Sequence, residues 1–349
     1  MSARRVTVRS RAVSLRVDVR VLAVLAMLGA ATMLILAISV GQGEFPVAPL
    51  DVLAALVGAG DRATSFIVLD LRLPRALTAV LAGVALGIAG AVFQDLARNP
   101  LVAPDVIGIT GGASLAAVAL IVLGETSGAV SVPLAALGGA LATGAALYGL
   151  AWRRGVQGYR LVLVGVGVAA LLQAGISYVL TRGQIFEVAQ AYVWLVGSLN
   201  GRGWEHVWPL AAALAVVLPL GPVLARHLEA LQLGDDVARA LGVGVERARL
   251  ALLAVAIVLT GVAVSAAGPI AFVAFIAPHI ARRVSGSVSP SGVLPAAAAV
   301  GALLVLGADL AGRLLFAPTE IPVGIVTSIV AAPYFLYLLR RANRLGITG

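Results

Sequence analysis

The chain has 349 residues, of which 60% are hydrophobic, and its mean hydropathy is +1.03. A soluble domain is usually about 45–50% apolar with glycine included, so this composition excludes a soluble globular protein and indicates a polytopic membrane protein. Cysteine is absent, which excludes disulfides, thiolate metal sites and cysteine nucleophiles, and the net charge of +9 indicates membrane topology rather than binding to nucleic acid.

The N-terminal region combines a basic segment with the first long apolar run. Six arginines lie within residues 1–20, and residues 21–40 carry no charge. About 20 residues are enough to cross roughly 30 Å of hydrocarbon. A cleaved signal peptide is the alternative, but the apolar part of such a peptide is usually only about 7–15 residues long. We therefore predict a basic cytoplasmic tail at residues 1–20 and a retained first membrane helix.

Later apolar runs predict about nine further crossings. The uncharged run at residues 250–281 exceeds one crossing of about 20 residues, is shorter than two, and has arginines at both ends. By the positive-inside rule both ends lie inside, so we predict a full helix to about Ala267, a turn at Gly268-Pro269 and a short returning helix from Ile270. The other predicted crossings are residues 76–93, a run ending at Leu123, residues 129–152 before Arg153 and Arg154, and residues 161–180, 206–225, 293–308 and 321–339.

The segments between these runs complete the predicted topology. We expect a short helix at residues 49–57, another within residues 187–204, and a polar connection at residues 309–320, all on the outer side. The distribution of arginine leaves both termini in the cytoplasm. The prediction is one all-α transmembrane domain at residues 21–340, with about ten membrane helices and a cytoplasmic tail at residues 341–349.

Small and polar residues mark the predicted helix contacts and turns. Glycines at positions 83, 87 and 90 recur at about helical spacing, which would let another helix approach closely. Residues 99–105 form a polar turn in which Asp105 can cap the next helix. We assign to helix packing or to the translocation path Gly83, Gly87, Gly90, Gln94, Asn99, Pro100, Gly111, Gly112, Gly268 and Pro269.

Residues 228–250 form a polar island that must lie in water. The island holds seven charged residues, although the charged fraction of the whole chain is only 12%. A solvated loop is the simple interpretation. Gly234, however, is expected to end one short helix, and Asp235 or Asp236 to cap the next, where a carboxylate also favours the helix dipole.

The second of these short helices carries an apolar face. Val237, Ala240 and Leu241, which we call the knob, would lie together and end at Gly242. A small apolar knob on a polar loop has a shape suited to insertion into the groove of a partner protein. We therefore favour a docking role over a solvated loop.

No residue pattern supplies a nucleotide site or a proton relay. The glycine-rich pieces lack the Gly-Lys-Ser/Thr ending of a P-loop, so ATP, if it drives transport, is bound by another chain. No pair of intramembrane carboxylates suits an ion-coupled carrier, and Asp309 with Arg313 fits a structural i,i+4 ion pair better. His279 has no second ligand nearby, which favours packing or hydrogen bonding over metal or haem binding. We predict no catalytic and no metal-binding residue.

Ordered motifs extend over nearly the whole chain from about residue 20. They are Arg72-Leu73-Pro74-Arg75, the glycine-rich helix ending in Gln94, Arg98-Asn99-Pro100-Leu101, Gly111-Gly112-Ala113, Gly197-Ser198-Leu199, Ala240-Leu241-Gly242, Gly268-Pro269-Ile270-Ala271-Phe272, Ala277-Pro278-His279-Ile280-Ala281-Arg282 and Ile321-Pro322-Val323-Gly324. These motifs resemble those of the FecCD/BtuC family, whose members are permease subunits of ABC importers for iron-siderophores, haem and vitamin B12. Residues 200–204, 234–247 and 277–286 are most similar to the permeases of ferric-enterobactin, or catecholate, systems.

The resemblance implies a permease of ten membrane helices in a bacterial plasma membrane. Its implied partners are a second permease subunit, more often a different chain than a copy, two ABC ATPases that use ATP and Mg²⁺, and an extracytoplasmic siderophore-binding protein. The chain itself would bind no cofactor. The expected cargo is a ferric-enterobactin-like complex; haem or cobalamin is the alternative cargo, and an ion-coupled secondary carrier is the alternative of another class.

The same resemblance assigns roles to two sets of residues. Arg72, Arg75 and Arg313 match arginines that meet acidic residues of the binding protein in vitamin B12 importers. The loop before the seventh membrane helix, here residues 229–242, would form the coupling helices that sit in the ATPase cleft. Its implied contact residues are Glu229, Asp235, Asp236, Arg239, Ala240, Leu241 and Gly242.

Overall fold

A computed structural model describes residues 5–9, 14–43, 45–124, 131–152 and 158–345. Three parts of the prediction lie outside these ranges. They are the start at residue 129 of the predicted fourth crossing, its stop at Arg153 and Arg154, and the last four residues of the predicted C-terminal tail. The predicted N-terminal tail contains a β-hairpin of two antiparallel strands, β1 (Arg5–Arg9) and β2 (Ser14–Asp18), with Thr7 opposite Arg16. The other regular elements of the described chain are helices.

Fourteen α-helices follow the hairpin in the described residues. Between α3 and α4 the chain stays helical as a wider π-helical segment, Phe66–Arg72. The helices are α1 (Val19–Gly41), α2 (Pro49–Leu56), α3 (Arg62–Ser65), α4 (Leu73–Ala97), α5 (Ile109–Leu123), α6 (Ser131–Ala151), α7 (Gly158–Leu180), α8 (Ile185–Leu195), α9 (Trp204–Gln232), α10 (Asp235–Ala240), α11 (Val245–Ala267), α12 (Val273–Ser285), α13 (Pro290–Leu314) and α14 (Val323–Leu345).

The helices form a polytopic membrane bundle. Among the described residues, seven helical segments are long and apolar enough to cross a bilayer, and α5 and the first part of α14 are shorter apolar helices. Together with α12 they are ten helices, the number of crossings that the sequence predicts, while α8 is a further short apolar helix. Arg20 at the start of α1 donates to Val284 O at the end of α12 at 3.2 Å, and Arg283 lies over the Tyr334 and Tyr337 rings of α14. The start of α1 and the end of α14 therefore lie on one face, which also carries α10; we call it the α10 face and the opposite one the α2 face.

Helix α4 is the centre of the bundle. Within the helical segment Arg62–Ala97, 78% of the most apolar window is buried. A Cβ added at Gly83 or Gly87 would lie 2.3 or 2.2 Å from a carbonyl oxygen of α13, and one added at Gly90 would lie 1.8 Å from Ala274 O of α12. Only residues without side chains allow backbones to approach this closely. The three glycines therefore fix how α12 and α13 pack on α4.

Three interruptions of the helices meet near the α2 face. The break between α11 and α12 lies where the sequence predicts it, and Gly268 has a φ of +72° there. Gly197, after α8, has a φ of +74°, and its carbonyl oxygen accepts from Gly324 N at 3.2 Å. Ser198 N donates to Ala267 O at 2.9 Å. Backbone groups left unpaired by the broken helices thus satisfy one another, which a membrane interior requires.

Asp105 stabilises the start of α12 and does not cap α5. The N-cap of α5 is Gly108, with φ of +88° and no capping side chain. Asp105 Oδ1 accepts from the Thr110 hydroxyl at 2.7 Å, and its Oδ2 lies 3.4 Å from the backbone nitrogen of Phe272. Phe272 has a φ of +66°, a conformation that few side chains adopt without local support. The carboxylate therefore spans two interruptions of the helical chain.

Two predicted boundaries are wrong. Helix α9 continues beyond Ala225 to Gln232, so residues 228–232 end a membrane helix and do not form a separate one. Helix α13 continues to Leu314 and includes Asp309 and Arg313, which were expected in an outer connection. Charged residues ended both predicted runs, yet both helices continue past them, and in α13 Asp309 and Arg313 pair inside the bundle.

Candidate functional site

The knob predicted in the polar island is exposed. Val237 and Leu241 are 46% and 62% exposed, and Ala240 and Gly242 are exposed beside them. Gly242 has a φ of +82°, so the chain changes direction directly after α10. The α10 face therefore presents a short helix with an apolar end to its surroundings.

The two aspartates of α10 do not cap it, in contrast to the prediction. The N-cap is Gly234, which has a φ of +107° and no side chain. Asp236 is exposed and pairs with Arg239, one turn later, at 3.0 Å. Asp235 turns toward the bundle, where its carboxylate lies 2.6 Å from Arg249 Nη2. Of the two, only Asp236 is therefore fully exposed to a partner protein.

Asp235 joins α10 to the ends of the membrane helices. Arg249 belongs to α11, and its side chain is 12% exposed. Arg98 ends α4, and its Nη2 lies 3.5 Å from Asp235 Oδ1 and 2.5 Å from Leu231 O of α9. One carboxylate thus contacts two arginines and links α10 to the ends of α4 and α11. The sequence did not reveal either arginine as a partner of Asp235, since Arg98 belongs to a family motif and Arg249 marks the end of an apolar run.

Glu229 lies apart from the knob. It belongs to the last turns of α9, and its Oε1 accepts hydrogen bonds from the Ser289 hydroxyl and, at 3.4 Å, from Ser291 N. These serines stand at the start of α13. Glu229 therefore links α9 to α13. Its predicted contact with an ATPase rests on the family resemblance alone.

A second polar cluster joins α4 to α12 on the same face. Gln94 Nε2 donates to Phe275 O at 3.0 Å, and Arg282 donates to Gln94 Oε1 at 2.6 Å. Arg282 also pairs with Asp95 at 2.8 Å. The sequence marked Gln94 and Arg282 through their family motifs, but it did not reveal that they contact each other or that Arg282 pairs with Asp95.

The remaining residues assigned to packing serve local contacts. Asn99 Oδ1 accepts from Leu101 N at 2.9 Å in the turn that contains Pro100. A Cβ added at Gly112 would lie 1.8 Å from Thr143 Oγ1 of α6, whereas one at Gly111 would make ordinary contact with α7. Gly112 is thus a packing position between α5 and α6.

Arg75 is the centre of an ion-pair cluster on the α2 face. Its Nη2 lies 2.9 Å from Asp309 Oδ1, and its Nη1 lies 2.9 Å from Glu320 Oε2. The Arg75 and Asp309 side chains are 13% and 2% exposed, while Glu320 is 39% exposed. A buried carboxylate needs such pairing, because desolvation of an isolated charge is costly. Glu320 is the part of this cluster that a partner can reach.

Arg313 and Arg72 also bind inside the protein. Arg313 Nε lies 3.2 Å from Asp309 Oδ2, and its Nη2 lies 2.5 Å from Ser39 Oγ of α1. Its side chain is 7% exposed. Arg72 donates to the carbonyls at the end of α1 and to Phe45 O at 2.6 Å. The three predicted docking arginines therefore lie close together, and each has internal partners that the sequence did not reveal.

The His279 side chain contacts Phe275 of its own helix, α12. Its Nδ1 lies 2.9 Å from Phe275 O, one turn earlier, and its ring lies 5.0 Å from that phenyl ring. In the part of the chain that the structure describes, no group of three or more His, Cys, Asp or Glu side chains could hold a metal ion. Hydrogen bonding and packing account for this histidine.

Comparisons with known proteins agree with this architecture. A family model described as the FecCD transport family matches residues 29–341. The probable siderophore transport system permease protein YfhA of Bacillus subtilis strain 168 is 44% identical over 89% of this chain and 92% of its own length. The ferric enterobactin transport system permease protein FepG of Escherichia coli strain K12 is 43% identical over 84% and 88%. A solved structure of a metal-chelate type ABC transporter, in an inward-facing conformation, has a TM-score of 0.78 and 26% identity, and covers 92% of this chain and 99% of its own.

Proposed function

The chain belongs to the FecCD transport family, and from this premise we propose that it is the permease subunit of an ATP-driven importer of iron-siderophore complexes. In this proposal two ATPase subunits bind ATP and Mg²⁺, a second permease subunit completes the path, and an extracytoplasmic protein delivers the cargo. The chain binds no cofactor of its own. Its α10 face, with both termini, lies in the cytoplasm of a bacterial cell.

The exposed knob on α10 is the observation that carries the proposal. Val237 and Leu241 expose apolar side chains on a face rich in arginine and carboxylate. Burying one such side chain contributes about 1.5–3 kcal/mol, so a partner that covers both gains a well-defined anchor. The glycine-rich segments lack a P-loop, and in this proposal ATP is bound by the protein that receives the knob.

Asp235 supplies the route by which the ATPase would act on the membrane helices. Its ion pairs to Arg249 and Arg98 link α10 to α11 and α4. Helix α4 in turn packs backbone to backbone on α12 and α13. Movement of the knob in the ATPase cleft would therefore tilt the central helices, so that cargo passes toward the α10 face.

The relatives support a ferric siderophore as the cargo. Two of them, at 44% and 43% identity, are named for siderophore transport and for ferric enterobactin transport. We propose a catecholate siderophore on this basis. The second permease subunit would be a different chain, as the enterobactin-like motifs imply.

The arginine cluster on the α2 face would receive the binding protein. Acidic groups of that protein would compete with the exposed Glu320 for Arg75, while Arg313 holds Asp309 in place behind it. Only Glu320 is exposed in this cluster, and ion pairs at an exposed position contribute only about 0–1 kcal/mol each, so the exchange at Arg75 would serve orientation and encounter rate.

The test is uptake by the complete importer in proteoliposomes with ATP inside. Replacing Leu241 by Glu and Gly242 by Arg should abolish uptake of ferric enterobactin while the ATPase subunits still hydrolyse ATP. Val288→Glu alters another exposed apolar residue on the α10 face and should leave uptake unchanged. Normal uptake by the knob variant would contradict the docking role, and uptake driven by an ion gradient without ATPase subunits would contradict the importer class.

A further inference from the structure

The N-terminal hairpin has two chemically different faces. Residues opposite each other in an antiparallel pair share a face, and successive residues of a strand alternate between the two faces. By the register of the hairpin, one face, which we call the aliphatic face, holds Val6, Val8, Leu15 and Val17. The other face, which we call the basic face, holds Arg5, Thr7, Arg9, Ser14, Arg16 and Asp18.

The hairpin lies at the surface of the membrane, because no linker separates it from the first membrane helix. Strand β2 ends at Asp18, whose carboxylate caps α1 by accepting a hydrogen bond from Arg20 N at 2.9 Å. Helix α1 begins at Val19 and is long and apolar enough to cross a bilayer. A five-residue strand is about 17 Å long, so both strands stay within about 20 Å of the start of α1.

The aliphatic face needs a cover that a lone hairpin does not supply. A two-stranded hairpin by itself is at best marginally stable in water, and packing of its apolar face on another surface stabilises it. The boundary between lipid head groups and acyl chains lies beside the start of α1. Amphipathic segments with arginine on one face and aliphatic residues on the other bury their apolar face about 5–10 Å into this boundary.

The N-terminal segment also carries positive charge that the described acidic residues do not balance. Residues 1–20 contain six arginines and one aspartate, which gives a net charge of +5. Clusters of about four to eight basic residues at the cytoplasmic end of a membrane helix are typical of binding to anionic lipid. The acidic side chains described elsewhere on the α10 face already have partners of their own; they are Asp95, Glu229, Asp235, Asp236 and Glu246.

We propose that the hairpin binds the surface of an anionic membrane, with its aliphatic face at the acyl boundary and its arginines at the phosphates of acidic phospholipids. Arginine can hold a phosphate through two parallel hydrogen bonds. A partner protein would have to present an apolar patch and acidic groups at the membrane surface, whereas an anionic bilayer offers both beside α1. The inference rests on α1 as a membrane helix and does not depend on the cargo or on ATPase subunits.

The test uses the full chain in nanodiscs of phosphatidylcholine, with or without phosphatidylglycerol. The sequence has no cysteine, so Val8→Cys and Thr7→Cys can each carry a single fluorophore, on the aliphatic and on the basic face. With phosphatidylglycerol present, the label at position 8 should emit at shorter wavelengths and be shielded from an aqueous quencher, while the label at position 7 stays more accessible. The shielding should decrease at about 1 M salt, where the Debye length falls to about 3 Å.

Charge variants distinguish acidic lipid from other covers. Each arginine near an anionic surface contributes roughly fivefold to membrane association, so Arg5→Gln combined with Arg9→Gln should lower the equilibrium constant for shielding about thirtyfold. Arg226→Gln combined with Arg247→Gln removes two exposed arginines elsewhere on the α10 face and should leave this constant unchanged.

Equal accessibility of position 8 in both kinds of nanodisc would overturn the proposal, because acidic lipid would then not be what holds the hairpin. An equal loss of shielding in the two double variants would also overturn it, since the effect would then not belong to the hairpin. Shielding that appears only when ATPase subunits are added would assign the aliphatic face to a protein partner instead.

Discussion

Gly90 gives the sharpest test of the packing around α4. In Gly90→Ala the new Cβ would lie 1.8 Å from Ala274 O, 2.6 Å from its carbonyl carbon and 2.9 Å from its Cα. Ordinary contact begins at 3.4 Å, so α4 and α12 would have to separate locally by about 1.6 Å. No flexible side chain can give way, because all three atoms belong to the backbone.

The expected loss is the difference between two opposing terms. Alanine in a helix interior is intrinsically more stable than glycine by about 0.5–1 kcal/mol. Overpacking costs about 1–3 kcal/mol, and a backbone clash belongs at the upper end of that range. Gly90→Ala should therefore destabilise the protein by about 2 kcal/mol. At Gly138 and Gly307 an added Cβ meets nothing within 4 Å, so the same substitution should be neutral or stabilising.

The assay is thermal unfolding of the purified variants in one detergent. Gly90→Ala should lower the midpoint, and Gly83→Ala and Gly87→Ala should do so to a smaller degree, since their clashes are at 2.3 and 2.2 Å. Gly138→Ala and Gly307→Ala serve as controls in apolar helices. If Gly90→Ala unfolds at the same temperature as Gly307→Ala, the close contact of α4 and α12 is not what holds these helices together.

Three other substitutions address the polar clusters. Asp235→Asn removes the ion pair to Arg249, so we expect the assembled importer to take up less cargo per ATP hydrolysed. Asp235→Glu keeps the charge and should retain most of this uptake per ATP. Equal uptake per ATP in both variants would exclude the proposed route. Asp309→Leu leaves two arginines without their shared carboxylate and should lower the free energy of unfolding by about 3–5 kcal/mol. This loss should be larger than that of Arg313→Met. If Arg313→Met lowered the midpoint of thermal unfolding more than Asp309→Leu, the shared-partner geometry would be contradicted. Arg72→Lys keeps the charge but loses the forked guanidinium group that donates to three carbonyl oxygens. Amide hydrogen exchange at residues 40–47 should therefore accelerate. Unchanged exchange would mean that these hydrogen bonds do not order the segment.

Apolar runs allowed most of the helices to be located from the sequence. Residues 21–40 were predicted for α1, which spans Val19–Gly41, and the break at Gly268-Pro269 is where the length of the run required it. Such features depend on local composition and on membrane thickness, both of which the sequence contains. The all-α membrane fold is accordingly confirmed.

The i,i+4 ion pair of Asp309 and Arg313 was predicted and is confirmed, but the other polar contacts could not be predicted, because their partners are distant in sequence. Asp309 looked like the edge of an apolar run, yet Arg75, 234 positions away, neutralises it within the bundle. Asp235 was expected to cap α10, but Arg249 draws its carboxylate toward α11. The docking roles of the knob and of the arginine cluster stay predictions that rest on family resemblance and exposure.

The π-helical segment Phe66–Arg72 determines the register of the arginine motif that follows it. Leu73 N donates to Val68 O, five residues back, so this turn holds more residues than an α-helical turn. Residues three apart normally share one helix face, yet Arg72 reaches α1 while Arg75 reaches α13. The wider turn ends at Arg72, so it sets the rotation of α2 and α3 relative to α4 and not the separation of the two arginines. Loss of a single residue from it would rotate the preceding chain by about 100° about the helix axis, so the length of this segment fixes where α2 and α3 lie over the bundle.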